Sequence, residues 1–344
     1  MLKSFLIINI IILGIIYLCF KFQSYYQGPK TDHYDGKKFR DPFYDNKKAN
    51  FSFLKWKLNG DPARWPGRIE IKSYDKPPAK IADSSIRVSM VGHSTVLIQT
   101  SNLNILTDPV WSERASPVKF IGPKRVTPPG IKFEDLPKID VVLVSHNHYD
   151  HLDLVTLKQL WDKFQPLIIT PLGNESIIHS TDQAIEVKAL DWGDSVTYNK
   201  LKFNLEYARH WSARNLHDRN KALWGSFVIE TPTKKMYFAG DTGYGKHFKE
   251  LNYKYGNFDL SLIPIGAYKP EWFMQFSHTS PEEAVKAHLD LDSKLSIALH
   301  HNTFKLSDEA IEDPAQDLTN SLKQNNLSSN DFKILNAGEF ILIK

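Results

Sequence analysis

The sequence predicts an α/β fold of two strand-rich halves with helices on their outer faces. Apolar runs of strand length, rich in Val, Ile and Leu and bounded by polar or Pro-containing segments, recur from Ile86 onward. Between them stand segments with helix-start signals, such as Ser280-Pro281-Glu282-Glu283, where a capping residue, a first-turn proline and early acids coincide. Several of the apolar runs end directly in His or Asp, so the fold delivers polar groups from its strand ends.

Composition sets the outer limits. The 344 residues could form one large domain or two ordinary ones, and 42% hydrophobic with 24% charged residues is a globular composition. The net charge of +4 is mild, and Lys and Arg are dispersed among the acids. No nucleic-acid partner is expected from such a distribution, whereas anionic lipid headgroups need no larger excess. Cys19 is the single cysteine, which rules out an intramolecular disulfide framework.

Taken in order, the chain opens with an apolar segment, Phe5 to Phe20, interrupted only by Asn9 and flanked by Lys3 and Lys21. As a helix it would span about 24 Å, slightly short of the roughly 30 Å hydrocarbon core. Phe22 extends the run, and Tyr25 and Tyr26 suit an interface. Tyr17, Leu18 and Phe20 are too large for a signal cleavage site. An uncleaved transmembrane anchor is therefore expected over residues 1–24, giving a single-pass membrane protein with the remaining domain favoured outside the cytoplasm. Residues 25–50, rich in charge, Gly and Pro, read as a tether or surface arm, and residues 51–344 as one domain. Trp56 and Trp65, set among prolines, are expected to cover that domain rather than to offer a greasy rim.

Strands are expected over residues 87–91, 96–100, 105–107 and 141–144, a helix over 152–164, and strands over 167–170, 186–190 and 201–208. The second half continues with strands at 227–230, 235–239, 260–265 and 295–299, and helices at 281–289 and 317–324. Residues 332–335 and 339–343 are expected to close the fold as a hairpin around Ala337-Gly338.

The most informative stretch is Ser145-His146-Asn147-His148-Tyr149-Asp150-His151, directly after a strand-like run. Its imidazoles and carboxylate suit zinc and, less exclusively, other divalent first-row metals. One loop cannot complete a catalytic site. The run at 201–208 delivers His210, the run at 235–239 ends in Gly240-Asp241-Thr242-Gly243, and the run at 295–299 ends at His300 and His301.

With these residues the chain resembles the metallo-β-lactamase superfamily, whose signature is HxHxDH followed by a distant His, Asp and His. More narrowly it is similar to N-acylphosphatidylethanolamine-hydrolysing phospholipase D and its bacterial relatives. That likeness rests on Gly92-His93-Ser94, Leu106-Thr107-Asp108-Pro109, Arg114-Ala115-Ser116-Pro117 and Gly122-Pro123-Lys124-Arg125. It continues through Leu223-Trp224-Gly225-Ser226, Phe238 to Tyr244, Ile263 to Tyr268, Trp272-Phe273-Met274 and Pro281 to Val285. The resemblance implies an αβ/βα sandwich of two mixed β-sheets flanked by helices. It also implies two zinc ions per chain, with His146, His148 and His210 on the first, Asp150, His151 and His300 on the second, and Asp241 bridging. Asp150 and His278 would be catalytic, His278 lying near the substrate. With Cys19 far from the motifs, the Cys-using lactamase branch is disfavoured.

The activity implied is that of a zinc phosphodiesterase of phospholipase D type. A metal-bridging hydroxide would attack phosphorus of N-acylphosphatidylethanolamine, yielding N-acylethanolamine and phosphatidic acid, with membrane phospholipid as the partner. A metal-dependent lactonase or another phosphodiesterase is the alternative among enzymes. A non-catalytic, membrane-tethered binding scaffold is the alternative of another class, and the intact ligand set argues against it. His93 either orients a ligand or is a satisfied core residue. His301, next to a ligand on a strand, should face away and pack. His33, His179, His217, His247 and His288 read as surface or structural.

Overall fold

A computed structural model of the chain describes residues 25–44, 55–56, 58–81 and 85–344. The strands of the first half are β1 Ile86–Gly92, β2 Thr95–Thr100, β3 Leu103–Thr107, β4 Val141–Leu143, β5 Leu167–Pro171 and β6 Val187–Leu190. Those of the second are β7 Ser195–Tyr198, β8 Leu201–Glu206, β9 Ser226–Glu230, β10 Lys235–Phe238, β11 Leu260–Pro264, β12 Ser296–Leu299 and β13 Phe332–Lys333, with β14 Phe340–Ile343 last in the chain. They form two seven-stranded sheets, ordered β14-β1-β2-β3-β4-β5-β6 and β13-β12-β11-β10-β9-β8-β7. Each sheet is mixed: β1 to β3 are antiparallel and β3 to β6 parallel, while β7 to β10 are antiparallel and β10 to β13 parallel.

Strand alternation sorts the side chains into layers. Ile86, Val88 and Met90 of β1, Val141 and Leu143 of β4, Phe203 and Leu205 of β8, and Leu260 and Leu262 of β11 share the core between the sheets. The alternate residues face outward under helices. Val142 and Ile168 pack with Leu157 and Leu160 of α1, Leu154–Phe164, and with Ile177 and Ile178 of α2, Asn174–His179. On the other sheet Tyr237, Ile263 and Ala298 meet Phe248 and Leu251 of α3, His247–Tyr255, and Ala284 and Val285 of α5, Pro281–Asp290. Leu318 and Leu322 of α6, Asp313–Gln324, complete that layer; the short α4 is Glu271–Met274. In the central strands, such as β1 to β5, β11 and β12, both faces are buried, which is why these read as near-continuous apolar runs. A slip by one residue would exchange inter-sheet and helix-facing sets, so register is strongly specified.

Helix starts follow their caps. Asp153 accepts from the amides of Val155 and Thr156 at the head of α1. Ser280 and Glu283 form a reciprocal capping box at α5.

Two expectations are corrected. The closing hairpin does not form: β13 runs parallel to β12, with Ser296 opposite Phe332, whereas β14 pairs antiparallel with β1, with Ile86 opposite Ile343. Residues 334–339 carry the chain from one sheet to the other. Ile341 and Ile343 pack on the inter-sheet core, and β14 covers an edge of β1 that a local hairpin would leave unpaired. The second correction concerns location. Among the described residues no helix is long and apolar enough to cross a membrane. The anchor expected over residues 1–24 lies outside the described residues, and the single-pass membrane location drawn from it is withdrawn.

Residues 25–44 lie along the domain. Tyr34 and Phe39 are buried, the Phe39 amide donates to the Asn220 carbonyl at 2.7 Å, and His33 stacks on Trp192 at 4.6 Å. Trp56 stacks on Phe273 at 5.2 Å, and the Trp65 indole donates to the Glu309 carbonyl at 2.9 Å, so both cover the domain.

Candidate metal centre

The polar groups of the site leave the C-terminal ends of strands that run the same way. His93 follows β1, Asp108 follows β3, the 145–151 loop follows β4, His210 follows β8, Asp241 follows β10 and His300 follows β12. Chain direction at these ends is bent hard. His93, Asp108 and His300 have φ of 58°, 31° and 59°, conformations that cost a non-glycine residue of order 1–3 kcal/mol. The His300 amide donates to the His93 carbonyl at 3.0 Å, pinning two of these bends together. Gly240 has φ 58°, and a Cβ there would meet the Ser145 Cβ at 2.5 Å. Glycine is what lets Asp241 approach the histidine loop.

Two groups of donors result. His146, His148, His210 and Asp241 offer ligand atoms within 4.8 Å of one another, as do His93, Asp150, His151 and His300. In the first, His148 Nδ1 lies 2.8 Å from His146 Nε2 and 3.3 Å from His210 Nε2. In the second, Asp150 Oδ2 lies 3.3 Å from His151 Nε2 and 3.4 Å from His300 Nε2. Asp241 belongs to both neighbourhoods. Its Oδ2 is 3.2 Å from His151 Nε2 and from His300 Nε2, 3.7 Å from His210 Nε2 and 3.9 Å from His146 Nε2. All seven residues expected as ligands thus converge, and Asp241 lies between the two groups.

The electrostatics suit cations. Burial drives His146 and His210 well below the ordinary imidazole value and His148 down to about 3, so these rings are neutral and their lone pairs available. Burial also acts to lower His151 and His300. There the Asp241 and Asp150 carboxylates outweigh it, lifting His151 well above its ordinary value and His300 to about 9. For Asp150 and Asp241 burial pushes upward, but the surrounding imidazoles, His151 foremost, hold both well below the usual carboxylate range. Two buried carboxylates therefore draw positive charge into the site. His148 Nε2, His151 Nε2, His300 Nε2 and Asp241 Oδ1 are buried without a well-directed hydrogen bond. Orphaned nitrogens and carboxylate oxygens at this density fit divalent ions.

Outer contacts fix the rings. His151 Nδ1 donates to Asp108 Oδ2 at 2.6 Å, and Asp108 also accepts from the Ser145 amide at 2.7 Å and the Ser145 hydroxyl at 2.6 Å. His210 Nδ1 donates to the Ser277 carbonyl at 2.9 Å. His93 Nε2 is 2.9 Å from Asp150 Oδ2, so of its two readings the structure favours the orienting one. Buried Arg214 donates to the carbonyls of Asn147 (2.9 Å) and Leu152 (2.8 Å) and stacks on Tyr149, bracing the histidine loop from outside.

Asp108 and Arg214 were not among the expected site residues. Asp108 had a signal, an acid directly after a strand as at Asp241; Arg214, a single cation in a loop, had none. His278 stands beside the two groups, its Nδ1 3.8 Å from Asp241 Oδ2 and without a hydrogen bond. Burial brings it to about 4. Trp211 packs edge-on against His148 at 4.3 Å. His301 is buried outside both donor groups. Of the remaining histidines, His247 meets the Thr242 hydroxyl at 3.2 Å and His288 the Ser296 hydroxyl at 2.8 Å.

A family model described as beta-lactamase superfamily domain matches residues 103–301. The chain is 40% identical to an uncharacterized protein of Mycobacterium tuberculosis over 242 residues, 68% of this chain and 63% of that protein. It is 39% identical to N-acyl-phosphatidylethanolamine-hydrolyzing phospholipase D 1 of Caenorhabditis elegans over 238 residues, 65% of this chain and 66% of that one. These matches cover slightly less than two thirds of the relatives' own length. Among solved structures, a metallo hydrolase from Ignicoccus hospitalis superposes with a TM-score of 0.57 at 18% identity, over 76% of this chain and 99% of that one. A possible metal-dependent hydrolase from Veillonella parvula gives 0.59 at 15%, over 76% and 99%. These two share the fold. The fold and its His/Asp cluster together point to a divalent metal.

Proposed function

The chain belongs to the beta-lactamase superfamily of metallo-hydrolases, and from that premise we propose that it is a dinuclear zinc phosphodiesterase of phospholipase D type. Its substrate would be N-acylphosphatidylethanolamine and its products N-acylethanolamine and phosphatidic acid. The observation that carries the reading is the position of Asp241 between two complete donor groups. The likeness to the nematode phospholipase D supports the choice of bond.

His146, His148 and His210 would hold one ion, Asp150, His151 and His300 the other, and Asp241 both. Two such ions supply Lewis acidity and lower the pKa of water from 15.7 towards about 7. The protein's own groups do the rest. Asp108 holds His151 in one tautomer, and the Ser277 carbonyl does the same for His210. Neutral His278 keeps an N–H that it would donate to a phosphoryl oxygen or to the departing alkoxide. An amphiphilic substrate suits the surroundings: Tyr149 packs beside the loop of Ala115, whose tip exposes Phe120 (82%) and Ile121 (63%).

The test is mass-spectrometric detection of N-acylethanolamine and phosphatidic acid from vesicles containing the N-acylated lipid, with acyl-lactone opening run in parallel. Metal-replete protein should release both lipid products, and Asp241→Asn should not. Lactone opening without lipid cleavage would replace this reading with the lactonase. Elemental analysis should find about two zinc ions per chain; active protein free of stoichiometric metal would end it.

A further inference from the structure

The two donor groups are buried except at one residue, His148, which is partly exposed. A ligand arriving from solvent meets the centre on that side. Trp211 stands there, edge-on to the His148 ring at 4.3 Å, and the Arg219 guanidinium lies over the Trp211 ring at 4.0 Å. The stack is built into the loop. The Asn220 amide donates to the Ser212 carbonyl at 2.7 Å, and the Ser212 amide donates to Asn220 Oδ1 at 3.3 Å. These bonds tie the two ends of the loop, so Trp211 and Arg219, each one residue away, are set against one another.

Arg219 is half-buried, yet apart from the indole nothing among the described residues engages it. It makes neither a hydrogen bond nor an ion pair, and its nitrogens are open to solvent, since none is among the enclosed atoms that lack a partner. The acid beside it, Asp218, is committed to the amides of Arg214 and Asn215 and to the Tyr25 hydroxyl. Burial alone lowers the Arg219 pKa, to about 10, with no carboxylate raising it, so the group is charged at neutral pH. Arg214 and Lys221 add two further cations to a loop whose one acid is Asp218. A fully solvated arginine needs no counterion; one drawn half out of water beside a metal ligand does.

The missing partner is an anion. A guanidinium stacked by its face keeps its N–H edge free, and that edge matches the two oxygens of a carboxylate or phosphate. The anion is not the scissile phosphodiester, whose place is at the donor groups, an indole away from Arg219. It is a second charge on the same molecule. On the glycerol side of a phospholipid the groups nearest phosphorus are neutral esters, so that charge comes from the headgroup. An N-acylated serine headgroup carries a carboxylate on the carbon that bears the amide.

We propose that Arg219 is a specificity-determining residue: seated on Trp211, it pairs with a headgroup carboxylate and selects N-acylated phospholipids of serine type over those of ethanolamine type. The inference rests on the phosphodiesterase reading and extends its substrate class. Water would add to phosphorus, the bond to the serine oxygen would break, and that oxygen would leave with a proton. The products are N-acylserine and phosphatidic acid.

Methylene-phosphonate analogues of N-acetylphosphoserine and N-acetylphosphoethanolamine cannot be cleaved and differ by one carboxylate. In calorimetric titration of the full, metal-loaded chain the serine analogue should bind at least about tenfold more tightly. Arg219→Gln should bring the two affinities within about twofold of each other at unchanged metal content, and Arg219→Glu should reverse their order. Equal affinities in the unaltered protein would overturn the proposal. So would a preference that survives both substitutions, because the carboxylate would then be read elsewhere. A neighbouring anionic lipid offers the same charge, but the analogues are titrated free in solution, so a preference seen there belongs to the headgroup. On vesicles holding both N-acylated lipids the serine lipid should be cleaved faster, and Arg219→Gln should remove that lead. Cleavage of neither lipid with the binding preference intact would overturn the phosphodiesterase and leave the Arg219 pairing standing.

Discussion

Asp241 is a single carboxylate surrounded by imidazoles, with His151, His300 and His210 all within 3.7 Å of one oxygen. Asp241→Asn preserves its shape and removes its charge. We expect bound metal to fall below two ions per chain and kcat/KM to drop by at least about 100-fold, since even outer residues of metal sites are worth 10–100-fold. Elemental analysis beside kinetics checks both. Asp108→Asn places an amide against His151 and Ser145, and should cost about 10–100-fold in metal affinity or activity without touching a ligand. His300→Ala should lose metal, whereas His301→Ala should retain it; equal losses at matched metal content would reverse the assignment. At this scale the sequence was legible where ligand types crowd one loop or terminate an apolar run. Asp108 stood beside a proline, where an acid also reads as a turn former, and Arg214 acts through backbone carbonyls that have no sequence signature.

Central strands were legible as elements because both their faces are buried, so apolar runs stand out. Their pairing partners were not, as β13 and β14 show: adjacent in sequence, they belong to different sheets because β1 had an open edge to fill. The 25–44 arm illustrates another limit. His33 looked featureless, yet its ring bonds Asp32 at 2.6 Å and Asp191 at 2.7 Å, tying the arm to the turn after β6. Burial tends to lower the His33 pKa, but the bonds to Asp191 and Asp32 outweigh it and the value is raised. A raised value means that the tie contributes fully below the ordinary imidazole value near 6.5 and fades as pH climbs through the folded one. Limited proteolysis within residues 25–44 should therefore accelerate from neutral to mildly alkaline pH. His33→Gln should be cut readily at every pH; an unchanged pH response in that variant would exclude His33 as the titrating tie.

Across the whole molecule, one sheet supplies His146, His148, Asp150 and His151, and the other supplies His210, Asp241 and His300. Ions held by such a set clasp the two sheets. Chelation should lower the melting temperature by about 5 °C or more, and readdition of zinc should restore it, because a ligand at 100 times its Kd adds about 2.7 kcal/mol per site. An unchanged melting temperature after verified metal loss would mean that the seam holds without a clasp.

The same division of donors between sheets also orders events in time. A chain with only β1 to β6 paired offers the short histidine loop alone, and its partners His210, Asp241 and His300 lie about 60 to 150 residues further on in sequence. Loops of that length close late. During refolding, uptake of metal from a coloured indicator should lag behind burial of the aromatic core, so the ion acts as an inspector of finished molecules rather than as a seed for folding.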